Sequence, residues 1–153
     1  VHTHVFAYGS NLDTDRMTGR VPSATVVGRA SLVGFELRFH KQGWKDGTGK
    51  ADAFAVDHPE AVVHGIVYRV DVSELDALDV HETGYERRLV ELSIGTREGV
   101  TELEAWVYMA VPDVIDGTLV PTGWYLDHVV RGAREHGLPP ELIAWLKAHP
   151  TEG

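Results

Sequence analysis

Phe6-Ala7-Tyr8-Gly9-Ser10-Asn11-Leu12 is the stretch on which the reading turns. The apolar run over 4–8 stops at Gly9-Ser10-Asn11, which predicts a strand that enters a tight turn. One or two helical turns are expected over 13–19, with Asn11 or Asp13 as the cap. A strand that breaks into a helical turn directs several backbone N–H groups to one side. Such a concavity suits carboxylate or phosphate oxygens. Gly9 permits close approach of the backbone, and Ser10 and Asn11 add side-chain donors. The same residues also read as an ordinary strand-to-helix turn with an asparagine cap.

Outward from this loop the chain is strand-rich first and helical last. Period-two alternation over 31–40 predicts a half-buried strand. The segment from Gln42 to Gly49 is glycine-rich, carries Trp44 and reads as a loop. Further strands are expected over 51–56 and 62–70. Ser73-Glu74-Leu75-Asp76 resembles an acidic capping box that opens a short helix, and Thr83-Gly84 ends it. Strands over 85–94 and 101–111 join at Arg97-Glu98-Gly99 as a hairpin. Trp124, Leu126, Val129, Val130 and Ala133 recur at helical spacing, and Gly137 stands where the helix should stop. Pro139-Pro140-Glu141 starts a last helix. This order predicts one α+β domain over 1–153, not a doubly wound sheet.

Composition narrows the function classes. With 153 residues, 43% of them hydrophobic, the chain can build one core. The absence of cysteine excludes a disulfide scaffold, a thiolate zinc site and a thiol nucleophile. A net charge of −9 argues against binding a phosphate backbone, so no nucleic-acid partner is expected. The same charge predicts that a carboxylated substrate is held by local amides at Tyr8–Asn11, against a repelling overall field. No stretch reaches the roughly 18 apolar residues of a membrane span. Val1-His2-Thr3-His4 lacks the features of a signal peptide, so the expected location is cytoplasmic. Nucleotide-binding glycine motifs, a serine nucleophile elbow and His-Glu-x-x-His are all missing, so neither cofactor nor metal is predicted.

Three features compete with the loop. Glu82, at the end of the short helix beside His81 and Gly84, is placed to act as a general base if burial raises its pKa. It also reads as a solvated surface glutamate. The pairs His2/His4 and His128/His136 share faces but lack carboxylates at zinc-site spacing, and read as surface histidines. In Arg87-Arg88, strand geometry lets only one side chain point at any cleft, and a surface ion pair accounts for either.

Taken together, the pattern resembles the γ-glutamylcyclotransferase family, within the AIG2-like and γ-glutamylamine cyclotransferase superfamily. Phe6 to Leu12 looks like the family's signature loop, with its Tyr-Gly-Ser-Asn core. Arg29 to Leu37 is similar to its next strand. Gly65-Ile66-Val67-Tyr68-Arg69-Val70, then Leu75, Leu78-Asp79 and Glu82, matches its Gly-Val-Val-Tyr strand, short helix and catalytic glutamate in order and spacing. Gly132 to Pro139 resembles its C-terminal helix exit.

The resemblance implies a small, mainly antiparallel β-barrel with flanking helices. It implies that Tyr8, Gly9, Ser10, Asn11 and Leu12 hold a γ-glutamyl head and that Glu82 is catalytic. Tyr108 and Tyr125 match pocket-lining tyrosines. The implied reaction is closure of a γ-glutamyl amide or dipeptide to 5-oxoproline by its own α-amine, with Glu82 as general acid/base and no cofactor. The implied context is glutathione metabolism, in a monomer or homodimer. Related members remove a γ-glutamyl protecting group from a natural-product intermediate, and the Gln42–Gly49 loop is a candidate wall for the departing amine. A non-catalytic binder of small carboxylated ligands on the same scaffold is the third reading.

Overall fold

Among residues 1–152, which the computed structural model describes, seven strands and four helices follow in order. Five strands close into a barrel. Its ring runs β1 (His2–Ala7), β5 (Val62–Asp71), β2 (Thr25–Val33), β6 (Tyr85–Thr96) and β7 (Gly99–Ala110). Neighbours pair antiparallel, except that β7 meets β1 in parallel at Trp106 and Val5 and so completes the ring. Closure removes the unpaired strand edge that an open sheet of this size would carry. β3 (Phe35–Gln42) and β4 (Gly49–Ala55) form a separate two-stranded sheet. The helices are α1 (Thr14–Arg20), α2 (Leu75–His81), α3 (Gly123–Glu135) and α4 (Pro140–Ala148). The α+β, mainly antiparallel barrel expected from the resemblance is the fold observed. No described helix is long and apolar enough to cross a membrane.

Val5, Phe6 and Ala7 on β1 are buried in succession, as are Ile66, Val67 and Tyr68 on β5. Consecutive burial means that both faces of this strand pair are covered, which is why these runs are continuously apolar and do not alternate. α3 buries Tyr125, Leu126, Val129, Gly132 and Ala133, a stripe at helical spacing that packs on the turn at residues 10–12. Tyr68 is fully buried, and its hydroxyl donates to the Asn11 carbonyl at 2.8 Å. The loop is thereby held between barrel wall and helix.

Three local expectations are corrected. The alternation over 31–40 is not one strand. Gly34, at φ +89°, turns the chain out of β2 into β3, and β2 itself begins at Thr25. A period-two count runs straight through the turn because the glycine fills one place in the alternation. The short helix is not capped by Ser73. Asp71 accepts from the Ser73 N–H at 3.0 Å and opens a 3₁₀ turn over Val72–Glu74 ahead of α2. Glu74 reaches away to accept from the Ser23 N–H and hydroxyl. The last hairpin is longer than expected, with β6 running to Thr96 and β7 starting at Gly99.

Candidate active site

The turn after β1 borders a cleft of about 710 Å³ on which five elements converge. The turn after β1 supplies Ser10. α1 supplies Arg16 and Arg20 at i, i+4 spacing, which puts them on one helix face. The β3–β4 hairpin and its tip supply Lys41, Trp44, Lys45, Asp46 and Lys50. The ends of α2 and α3 bring Glu82 and Tyr125. Beside it lies a smaller recess of about 40 Å³ lined by residues 5–11 with Ala51, Glu82, Tyr85, Tyr108 and Tyr125. Ser10, Glu82, Tyr85 and Tyr125 line both spaces, so they mark the boundary between recess and cleft.

Glu82 stands where α2 stops. Its N–H donates to the Asp79 carbonyl at 3.0 Å, and its own carbonyl accepts from the Tyr85 N–H at 3.0 Å. Gly84 makes the exit possible. Its φ is +88°, and a side chain there would meet the Lys41 Cε at 2.8 Å. The Glu82 side chain is only 12% exposed. Asn11 Nδ2 donates to its Oε1 at 2.9 Å, and the Arg20 guanidinium lies 3.7 Å from the same oxygen while donating to Asn11 Oδ1 at 3.1 Å. Burial pushes the Glu82 carboxyl up to about 7, against the pull of Arg20, the Asn11 hydrogen bond, Lys41 and Arg16. A carboxyl poised there exchanges a proton readily near neutral pH.

The other sequence-derived residues fall into place around it. Tyr8 is buried and donates to the Tyr108 carbonyl. The Tyr108 hydroxyl donates to Asp79, so this tyrosine links β7 to α2 at the wall of the recess. The Tyr125 hydroxyl accepts from the Ala51 N–H at 3.0 Å, and Tyr85 donates to the Ala51 carbonyl at 2.6 Å, which ties β4 to the recess. Gly9 lines the recess, and Ser10 accepts from Arg16 Nε at 3.1 Å. The Leu12 and Asp13 N–H groups turn back to the Gly9 and Ser10 carbonyls, so any donors offered to a ligand come from the first residues of the turn.

Leu12 stands apart from this group. It is fully buried behind the loop against α3 and lines neither space. Arg87 pairs with Asp79 at 3.2 Å over the Trp106 ring, and Arg88 with Glu86 at 3.0 Å; neither lines the cleft. His128 and His136 are not free surface groups. His128 bonds the buried Asp13 at 2.8 Å, and His136 lies 3.0 Å from both Thr14 Oγ1 and the Leu12 carbonyl.

One sequence expectation is overturned. The field around a bound carboxylate is not the repelling field of the whole chain. Among the described residues, Arg16, Arg20, Lys41, Lys45 and Lys50 line the cleft against only Asp46 and Glu82. Their effect reaches His81 on the rim, whose pKa is lowered by partial burial first and then by Arg20, Arg16 and Lys45. Sequence reasoning missed these cations. The i, i+4 spacing of Arg16 and Arg20 directly after the loop was a usable signal. The lysines carried none, because only the β3–β4 register brings Lys41 beside Lys50. The segment from Gln42 to Gly49 does form a wall of the cleft through Gly43, Trp44, Lys45 and Asp46.

Both the sequence that carries this site and the fold that builds it are similar to those of known proteins. The family model described as "Gamma-glutamyl cyclotransferase, AIG2-like" matches residues 5–127. The chain is 34% identical over 157 residues to a mouse gamma-glutamylcyclotransferase, covering 96% of this chain and 79% of the relative. It is 35% identical over 150 residues to the human one, covering 94% and 76%. A solved gamma-glutamyl cyclotransferase superposes with a TM-score of 0.84 at 30% identity, covering 99% of this chain and 90% of that one. The matched span takes in the turn, both cleft arginines, the β3–β4 hairpin and Glu82, and on it the chain belongs to the gamma-glutamyl cyclotransferase, AIG2-like family.

Proposed function

We propose that this protein closes γ-glutamyl amides or dipeptides to 5-oxoproline, with Glu82 as the acid/base group. The reaction is internal to the substrate. The α-amine nitrogen bonds to the γ-carbonyl carbon, the bond from that carbon to the departing nitrogen breaks, and no water is consumed. Holding the glutamyl chain curled brings both reacting atoms together without a bimolecular encounter, and that is worth several orders of magnitude in rate. The recess beside Tyr8–Asn11 is the place for the glutamyl head, and the wider cleft for the departing half.

The α-amine is protonated at neutral pH and must lose a proton to attack. The departing nitrogen must gain one to leave as an amine. Ionised Glu82 takes the first proton and passes it to the departing nitrogen. As the α-nitrogen becomes the lactam N–H it sheds a second proton, which leaves with the freed amine as its ammonium, and Glu82 ends as it began. Asn11 and Arg20 hold the Glu82 Oε1 side. Tyr8 and Tyr108 brace the recess behind the γ-carbonyl.

The observation that carries this reading is Glu82: nearly buried, at the border of recess and cleft, with a pKa near 7. A binder of carboxylated ligands has no use for a buried acid in such a cationic cleft, and an arginine or amide would serve better there. Incubation with γ-glutamyl-alanine and γ-glutamyl-butylamine, followed by chromatography, tests the proposal. Release of 5-oxoproline from at least one of them is expected. Folded protein that yields none from any γ-glutamyl amide would remove the assignment.

A further inference from the structure

Lys41 and Lys50 face each other in register across the β3–β4 hairpin. Directly opposed residues in an antiparallel pair share a face with Cβ atoms about 5 Å apart, and like charges there repel. Here little of the pair is open to water. Lys41 is 3% exposed and the Lys50 side chain 15%. Nor is the repulsion relieved by carboxylates in equal number. Lys50 reaches Asp46 Oδ2 at 3.2 Å and Thr48 Oγ1 at 3.1 Å, while the other Asp46 oxygen accepts from the Thr48 N–H and hydroxyl, so one carboxylate stands beside two ammonium groups. Among the described residues, the one close acceptor of Lys41 Nζ is a neutral group, the Thr83 carbonyl at 2.6 Å. Burying an ammonium with no charged partner in contact is costly. Burial lowers the Lys41 pKa, the charge of Glu82 opposes this, and Lys50 adds to it.

The position of the pair says which part of a ligand would meet it. Lys41 Nζ sits 4.5 Å from the centre of the Tyr85 ring, and Lys50 Nζ 4.6 Å from that of Tyr125. Those two tyrosines border both the recess and the cleft, whereas both lysines line the cleft alone. An anion that meets both ammonium groups would therefore lie in the cleft and outside the recess, in the space proposed above for the departing half.

We propose that Lys41 and Lys50 form an anion subsite for the departing half of the substrate and set a preference for leaving groups that carry a carboxylate, amino acids or peptides, over neutral or cationic amines. The inference rests on the cyclotransferase reading for what it calls the departing half. A carboxylate between the two ammonium groups offsets their mutual repulsion and satisfies donors that Thr83 and Asp46 leave over. A neutral amide leaves the like-charged pair unrelieved, and a cationic amine adds a third positive charge. Lys45, on the same wall, strengthens the field at the mouth.

The test compares γ-glutamyl-alanine with γ-glutamyl-alaninamide, which matches it in shape without the charge. Calorimetric Kd values are measured on Glu82→Gln protein, so that no substrate is consumed, and kcat/KM values on protein with Glu82 intact. Binding is expected to favour the acid by roughly 10–100-fold, the size of one or two charge-assisted contacts. Adding Lys41→Met or Lys50→Met should each cut that ratio about 10-fold, and Lys41→Arg should retain most of it. The Lys50 variant and the arginine variant keep the test intact if Lys41→Met fails to fold. A ratio near one in the parent protein, or losses shared equally by acid and amide in the lysine variants, overturns the subsite. Turnover that persists with such a flat ratio leaves the cyclotransferase reading standing. A charge preference in binding without any 5-oxoproline removes that reading and keeps the subsite.

Discussion

Glu82→Gln separates the energetic and chemical consequences of a single buried proton. The carboxyl has an ordinary value of 4.5 and is raised to about 7 in the folded protein. The folded state therefore keeps a proton that the unfolded chain loses between those two pH values. Stability conferred by the protonated form is complete below 4.5, falls as pH rises, and is gone above about 7. At ~1.36 kcal/mol per unit, the loss across the window is about 3 kcal/mol. Glutamine keeps the shape and can still accept from Asn11, but it has no proton to lose. The variant should match the parent in stability near pH 4.5 and exceed it by up to about 3 kcal/mol at pH 8. For a chain of this size that corresponds to roughly 6–12 °C in Tm. Urea and thermal denaturation at pH 4.5, 6, 7 and 8 measure the difference, and other titrating groups cancel between the two proteins. In parallel, 5-oxoproline release should fall by about 10²–10⁴-fold, the usual worth of a positioned proton carrier. Parallel stability curves at every pH would refute the burial argument. Undiminished turnover would refute the role.

Two further perturbations test how the site is held. Arg20→Gln removes the strongest of the charges that oppose burial at Glu82, so the acidic limb of the kcat/KM profile, expected near pH 7, should move to higher pH; a limb that stays put belongs to another group. Gly132→Ala places a methyl carbon 2.2 Å from the Leu12 carbonyl carbon and 2.5 Å from the Asp13 N–H nitrogen. The overpacking of ~1–3 kcal/mol should outweigh the gain in helix propensity of ~1 kcal/mol, so Tm should drop and KM rise as the loop shifts; unchanged Tm and KM would show that α3 does not set the loop.

Much of the site was legible because it is local. A strand, a Gly-Ser-Asn break and a helical turn lie within seven consecutive residues, and the backbone geometry they impose needs no distant partner. Glu82 was legible through its place after a short helix that ends at a glycine. Its chemistry was not, because a carboxyl near 7 requires walls from other elements: Asn11 and Arg20 lie 71 and 62 residues away in sequence. Leu12 shows the opposite failure. Membership in the loop put it among the binding candidates, yet a helix more than a hundred residues away covers it, and no local pattern says which face of a turn is covered. The strand over 31–40 was misread because alternation records which face a residue takes, not which sheet it joins.

By itself, then, the sequence determined the secondary elements near the loop, the absence of thiol chemistry and the place of Glu82 at the end of a short helix. These depend on residue type and on neighbours a few positions away. The tertiary structure alone decided the electrostatics. Net charge is a sum over the chain and is blind to position, whereas the field at a cleft is weighted by distance and burial. Barrel closure and the β3–β4 register gather five of the fourteen Lys and Arg residues around one opening, so a chain of net charge −9 presents a cationic mouth where a carboxylate would enter.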